Sequence, residues 1–325
     1  MAGPSRSAAA EIVFDRATKI YPGRAVPAVS DLSLTVPAGE ICVLVGPSGG
    51  GKTTAMKMVN RLIEITRGDI TINGRSVRGL EVTELRRGIG YVIQNVGLFP
   101  HMTVADNIAT VPRLQGWDRG RIAGRVGELM ELVGLDAGDR KRYPAELSGG
   151  QRQRVGLARA MAADPPVMLM DEPFGALDPI TRDRLQGEFL RLHREIRKTV
   201  IFVTHDIDEA VKMGDHIAVL REGGVLAQYD TPERLLAAPA DDFVARFVGA
   251  DRGLKRLALR RLSDVELDPP NGSLGPSADI HTTLRDALSL MLTEGSRSLV
   301  VTGEDGEPVG ELSLDRVSAL LAEPV

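Results

Sequence analysis

Continuous apolar runs separated by helical repeats mark most of the chain. The runs at 41–45, 167–170, 200–204 and 217–220 have no polar alternation. That pattern predicts strands buried on both faces of a parallel sheet. Between them, 150–163 and 182–197 repeat apolar positions with helical spacing. Strands alternating with helices predict an α/β fold with a mainly parallel sheet. The segments 12–14, 32–36 and 70–72 alternate instead and lie near turns, which predicts an antiparallel flank.

The pattern changes after Gly249. A basic stretch with Arg252, Lys255, Arg256, Arg260 and Arg261 comes first. DPPNGSLGPS (268–277) follows, with the composition of an exposed loop. Thr283 to Asp286 (TLRD) fits a capping box opening a helix. Strands at 298–302 and 309–312, a turn at 304–306 and a closing helix at 313–321 complete one helix–strand–strand–helix unit, with no second copy. Two domains are expected, 1–249 and 250–325, in line with a prior of ~150 residues per domain for a chain of 325 residues.

Composition narrows the function classes. The chain is 43% hydrophobic and 26% charged, as ordered globular proteins are. A net charge of −4 argues against a nucleic-acid binder. The acidity sits in the C-terminal piece, which has 8 basic and 13 acidic residues from Gly249 onward. The one cysteine, Cys42, forms no internal disulfide framework and is expected to pack in a strand core. No run reaches the 18 apolar residues of a membrane span, and MAGPSRSAAAEIVF lacks the apolar core of a secretory signal. A cytoplasmic protein is therefore expected, with any membrane role peripheral.

The chemistry begins with GPSGGGKTT (46–54), which follows the run ICVLV and satisfies G-x-x-x-x-G-K-[ST]. Gly46, Gly49, Gly50 and Gly51, with Ser48 among them, let the backbone curl so that its N–H groups converge on phosphate oxygens. Lys52 supplies a cation to the terminal phosphates, Thr53 a hydroxyl for Mg²⁺, and Thr54 continues the helix start. VMLMDEP (167–173) ends an apolar strand in two acids. Asp171 is placed to hold Mg²⁺, and Glu172 to act as general base toward water. Gln94 and His205 each end another strand; Gln94 is a candidate for the Mg²⁺ shell and His205 for the γ-phosphate. LSGGQRQR (147–154) starts a helix, with Ser148 as cap and Gly149, Gly150 and Gln151 exposing its N-terminus to an anion.

In this order the pieces resemble the nucleotide-binding subunits of ABC transporters, over about 11–249. The resemblance implies an ABC-type P-loop ATPase fold: a parallel sheet core, an antiparallel flank and a helical subdomain. It assigns Gly46 to Thr54 as Walker A, Gln94 as the Q-loop, Leu147 to Gln151 as the signature and Asp171 with Glu172 as Walker B. It makes Asp178 the D-loop aspartate, His205 the switch histidine and Tyr21 an adenine-stacking aromatic. It implies ATP and Mg²⁺ as ligands, with Thr53, Gln94 and Asp171 on the metal. It also implies a head-to-tail homodimer in which Ser148, Gly149, Gly150, Gln151 and Asp178 reach the nucleotide of the other chain. Glu172, His205, Gln94 and Lys52 then carry hydrolysis.

MKMVNRLIE (56–64), LRRGIGYVIQNVGLFPHMTVADNI (85–108), MDEPFGALDPITRDRLQ (170–186) and DTPERLLAAPADDFVARFVG (230–249) are similar to ATPase subunits of quaternary-amine importers. These serve glycine betaine, choline or carnitine. That likeness implies integral membrane permease subunits as partners, and an extracytoplasmic solute-binding protein or domain reached through them. The permease would be gripped in a groove beside Gln94 and LFPHMT (98–103). The C-terminal piece resembles one small α+β CBS module through TLRDALSLM, SLVVTGEDGEPVGEL and SLDRVSALL. Three other readings stand beside this one. They are an importer ATPase for another solute such as an amino acid, a soluble ABC ATPase acting on nucleic acid or ribosomes, and a salt-sensing regulatory module.

Overall fold

The computed structural model describes residues 8–93, 96–175, 177–269 and 275–322. Among these residues the strands are β1 (Ile12–Lys19), β2 (Val29–Val36), β3 (Ile41–Val45), β4 (Arg67–Ile72), β5 (Arg75–Ser76), β6 (Ile89–Val92), β7 (Val167–Asp171), β8 (Thr199–Val203), β9 (His216–Arg221), β10 (Val225–Asp230), β11 (Ser277–Asp279), β12 (Ser298–Thr302) and β13 (Pro308–Ser313). The helices are α1 (Lys52–Val59), α2 (Val82–Arg87), α3 (Val104–Ile108), α4 (Thr110–Leu114), α5 (Arg119–Leu132), α6 (Gly149–Met161), α7 (Pro179–Ile196), α8 (Ile207–Met213), α9 (Pro232–Ala237), α10 (Asp242–Val248), α11 (Arg252–Leu259), α12 (Leu284–Thr293) and α13 (Leu314–Ala322). The chain divides into two compact units, one ending at Tyr229 and one starting at Asp230.

The first unit holds a six-stranded sheet of order β10-β9-β3-β8-β7-β6 and a four-stranded sheet of order β2-β1-β4-β5. Every residue of β3, β7 and β8 is buried, as the unbroken apolar runs require. These strands run parallel, with Leu44 opposite Val203 and Val203 opposite Asp171. Their carboxyl ends therefore lie side by side, where ligands of open α/β sheets bind. The second sheet is the expected antiparallel flank. Ile12, Leu32 and Ile70 from it share one core with Leu44, Leu169 and Ile201 of the parallel sheet and Met56 of α1. Cys42 is fully buried in β3 and packs in that core, with its thiol pushed up to about 12 by burial. Between β6 and β7 the chain is helical, with α3, α4, α5 and α6.

The second unit carries a three-stranded sheet, β11-β12-β13, with β11 parallel and β13 antiparallel to β12. Its α12–β12–β13–α13 run is the expected helix–strand–strand–helix unit. Thr283 caps α12, accepting from the Asp286 amide at 3.1 Å. Leu284, Met291, Leu299, Val301, Leu312 and Leu320 form its core. Leu257 of α11 and Leu262 join the same core, so the basic stretch belongs to this unit's packing. The division falls earlier than the expected 249/250 boundary because α9 packs on α11. Of the expected loop at 268–277, residues 270–274 lie outside the described residues.

Candidate functional site

The turn from β3 into α1 closes tightly on its neighbours. Gly51 has φ 74°, and a Cβ there would stand 2.2 Å from the Ala28 carbonyl oxygen. Gly46 has φ 150°, with Leu220 O 2.1 Å from the same position. Neither site accepts a side chain. Lys52 opens α1, and its Nζ donates to Gly46 O at 2.7 Å and Pro47 O at 2.9 Å. The ammonium thus arches over the loop that precedes it. Burial lowers its pKa below the usual lysine value, and the charges of Glu172 and Asp171 pull the other way.

A cleft of ≈ 700 Å³ opens above this turn. Ser48, Gly49, Gly50, Gly51, Lys52, Thr53 and Thr54 line it, with Glu172 and His205 across from them. Thr53 Oγ1 donates to Asp171 Oδ1 at 2.9 Å, which joins the loop to the end of β7. Lys57 Nζ lies 3.8 Å from the other Asp171 oxygen. A hydroxyl and a buried carboxylate this close are hard oxygen donors, the set Mg²⁺ takes beside phosphate and water. The residues present fit that ion.

Glu172 adopts φ 45°, a left-handed conformation that costs a non-glycine residue about 1 kcal/mol or more. Its amide donates to Val203 O at 3.0 Å, which holds the strained residue against β8. Its carboxylate lies 3.2 Å from His205 Nδ1. The His205 side chain is 66% exposed and that of Glu172 is 22% exposed, so the histidine stands open to the cleft and the carboxylate is the more shielded of the two.

Ser148, Gly149, Gly150, Gln151 and Asp178 do not line the cleft of their own chain. Ser148 Oγ accepts from Gln151 N at 3.2 Å, and Gln151 Oε1 accepts from Ser148 N at 2.9 Å, a complete capping box. Gln151 Nε2 also donates to Asp139 Oδ2 at 3.2 Å. Asp178 caps α7, accepting from Thr181 N at 3.0 Å, and that amide bond lowers its pKa below the usual carboxylate value. A Cβ on Gly150 would lie 3.5 Å from Thr181 Cγ2, so the N-termini of α6 and α7 abut. Tyr21 is not in the cleft lining; Lys19 Nζ lies over its ring at 5.2 Å. Arg24, Val26 and Pro27 of the same loop line the cleft instead, with Glu222 and Gly223. Gly223 N donates to Gly49 O at 3.3 Å. The sequence reading missed these residues, which belong to turns without a motif. Gln94 lies outside the described residues.

The ABC transporter family model matches residues 29–175. The osmoprotectant import ATP-binding protein OsmV of Salmonella typhimurium is 52% identical over 89% of this chain and 74% of its own length. The chain belongs to the ABC transporter family. It is an ATP-binding subunit, an ABC ATPase. The glycine betaine uptake system ATP-binding protein YehX of Escherichia coli is 49% identical, over 93% of this ABC ATPase and 97% of the relative. The choline transport ATP-binding protein OpuBA of Bacillus subtilis is 45% identical, over 90% and 76%. Among solved structures, a dimeric bacterial ABC transporter cassette matches with TM-score 0.62 and 32% identity. That match covers 68% of this chain and 98% of the cassette. A post-hydrolysis cassette dimer bound to ADP and Pi matches with TM-score 0.61 and 31% identity, over 68% and 98%. No helix of the described residues is long and apolar enough to cross a membrane.

Proposed function

We propose that this ABC ATPase powers import of a quaternary-amine osmoprotectant, of glycine betaine, choline or carnitine type, through a partner membrane permease. The observation that carries the reading is the likeness to YehX, at 49% identity over 97% of that glycine betaine uptake protein. The carnitine transport protein OpuCA of Listeria monocytogenes, 45% identical over 94% of this chain, supports the same solute class.

Two copies bind ATP between them, head to tail. The loop amides at 46–54 take the phosphates, and Lys52 exchanges its two carbonyl acceptors for phosphate oxygens. Ser148, Gly149, Gly150 and Gln151 of the second copy close the site, with Asp178 of that copy beside them. Thr53, Asp171 and Gln94 would hold Mg²⁺, which would supply charge neutralisation at the phosphates. Glu172 accepts the proton of the attacking water. His205, with Nδ1 3.2 Å from the Glu172 carboxylate, orients that water toward the γ-phosphate. The abutting ends of α6 and α7 present Gly150 and Asp178 together, which suits a coupled pair of sites.

The permease helix docks in a groove of ≈ 350 Å³ lined by Tyr91, Ile93, Phe99, Val111 and Arg159. An extracytoplasmic solute-binding protein or domain delivers the solute to that permease, which holds the ATPase at the inner membrane face. The second unit is a single CBS-like module with a regulatory role; its three-stranded sheet and the flanking helices α12 and α13 support that reading.

Glu172→Gln tests the hydrolytic site. The variant is expected to bind ATP, accumulate as a dimer and lose turnover ~10²–10⁴-fold, the contribution of a general base. Wild-type turnover would remove Glu172 from the role.

A further inference from the structure

We infer that Glu209 is a positioning residue for hydrolysis: its buried carboxyl, bonded to Gln186 of α7, anchors the start of α8 that Asp206 caps, and so fixes the loop that carries His205. The inference rests on the proposed roles of His205 and Glu172.

His205 sits between the end of β8 and the start of α8, and little else holds its side chain, which is 66% exposed. Its backbone neighbours are held firmly. Thr204 N donates to Leu44 O at 3.2 Å, and Asp206 N donates to Thr204 Oγ1 at 3.1 Å. Asp206 Oδ1 in turn accepts from Asp208 N and Glu209 N, which caps α8. Glu209 lies in the first turn of that helix, is 8% exposed, and receives Gln186 Nε2 at 2.9 Å. Gln186 is itself 4% exposed.

Glu209 therefore joins Asp206, the residue after His205, to the middle of α7. The N-terminus of α7 is capped by Asp178, and Arg182 Nη2 holds the preceding Leu177 carbonyl at 2.9 Å. One rigid helix thus bears the aspartate proposed to reach the other nucleotide and the amide that anchors the histidine loop. The second link between α7 and α8, Asp183 to Lys212 at 2.6 Å, is more exposed. An exposed pair of that kind holds geometry weakly, whereas a buried, hydrogen-bonded carboxyl holds it strongly. A buried carboxyl costs stability unless it is hydrogen-bonded, and here the bond comes from Gln186. It holds the loop from which His205 Nδ1 stands 3.2 Å from Glu172.

The test uses the purified full-length chain, with ATP affinity and turnover measured separately. Glu209→Ala is expected to lower kcat about 10–100-fold, the scale of a misplaced catalytic group, with ATP Kd unchanged within about 2-fold. Glu209→Gln, which keeps an acceptor for Gln186, and the swapped pair Gln186→Glu/Glu209→Gln are expected to retain kcat within about 3-fold. Gln186→Ala breaks the contact from the α7 side and keeps the inference testable if Glu209→Ala fails to fold. Wild-type kcat in Glu209→Ala or in Gln186→Ala would overturn the inference. So would a parallel loss of ATP affinity and kcat, which marks a merely structural group. Glu172→Gln is assayed alongside: normal turnover there defeats the underlying site reading, whatever Glu209 does.

Discussion

The Lys52 ammonium donates to two carbonyls of its own loop, and the Thr53 hydroxyl donates to Asp171. Both groups thus have internal partners that a ligand must replace. Desolvation is lower for such an exchange than for burying a bare charge. Glu209 shows the opposite case, a carboxyl that no ligand reaches. Burial raises its pKa above the ordinary 4.5, with Asp206 adding to the rise and Thr204, Gln186 and Arg182 opposing it. Between 4.5 and the raised folded value the native state holds a proton that the unfolded chain releases. Stability therefore falls as pH rises through that window. Glu209→Gln removes the slope, so denaturant unfolding should show the variant gaining on wild type as pH rises above 4.5. Parallel stability curves for the two proteins would contradict the shift. At this scale the motif residues were legible because phosphate chemistry restricts both residue type and spacing. Arg24, Val26 and Glu222 were not, since they reach the cleft from turns distant in sequence. Tyr21, with the chemistry of a base platform, belongs to the loop whose Arg24, Val26 and Pro27 line the cleft.

Among elements, α6 shows how one short motif serves folding and binding together. Its capping box satisfies the Gln151 amide and returns the Gln151 side chain to the Ser148 amide. Ser148→Ala should cost about 1 kcal/mol in a denaturant titration, the usual value of an N-cap. In the Glu172→Gln background it should also weaken the ATP-dependent dimer. An unchanged unfolding midpoint would show that the cap carries no stability. The buried strands β3, β7, β8 and β9 were legible within a residue or two because uninterrupted apolar runs leave little choice. β1 extends to Lys19, well past the alternating 12–14 segment, because register shifts after Phe14 bury Ala17 and Thr18 in succession and break the period. Arg16 takes φ 47° at that irregularity. α7 starts at Pro179, ahead of its first helical repeat, since Asp178 caps it and proline fits the first turn. β11 has only three residues, SAD, too few to carry a periodic signal.

On the scale of the whole molecule, the unbroken apolar runs implied the parallel core and the alternating ones its flank. Where one unit ends and the next begins was less legible. The compositional break at Gly249 is sharp, yet α9 and α10 cluster with the C-terminal unit, since packing between helices leaves no mark on composition. The basic stretch at 252–261 contains Leu257, which the second unit buries. Solute class is further from the chain's own chemistry than any other property, because an ATPase subunit need not touch what its permease carries. The most direct measurement is therefore uptake of labelled glycine betaine at raised osmolality. Cells lacking the native gene would carry either wild type or Glu172→Gln. Uptake is predicted with wild type, and its loss with the variant. Equal uptake in both would contradict a role for this ATPase in glycine betaine import.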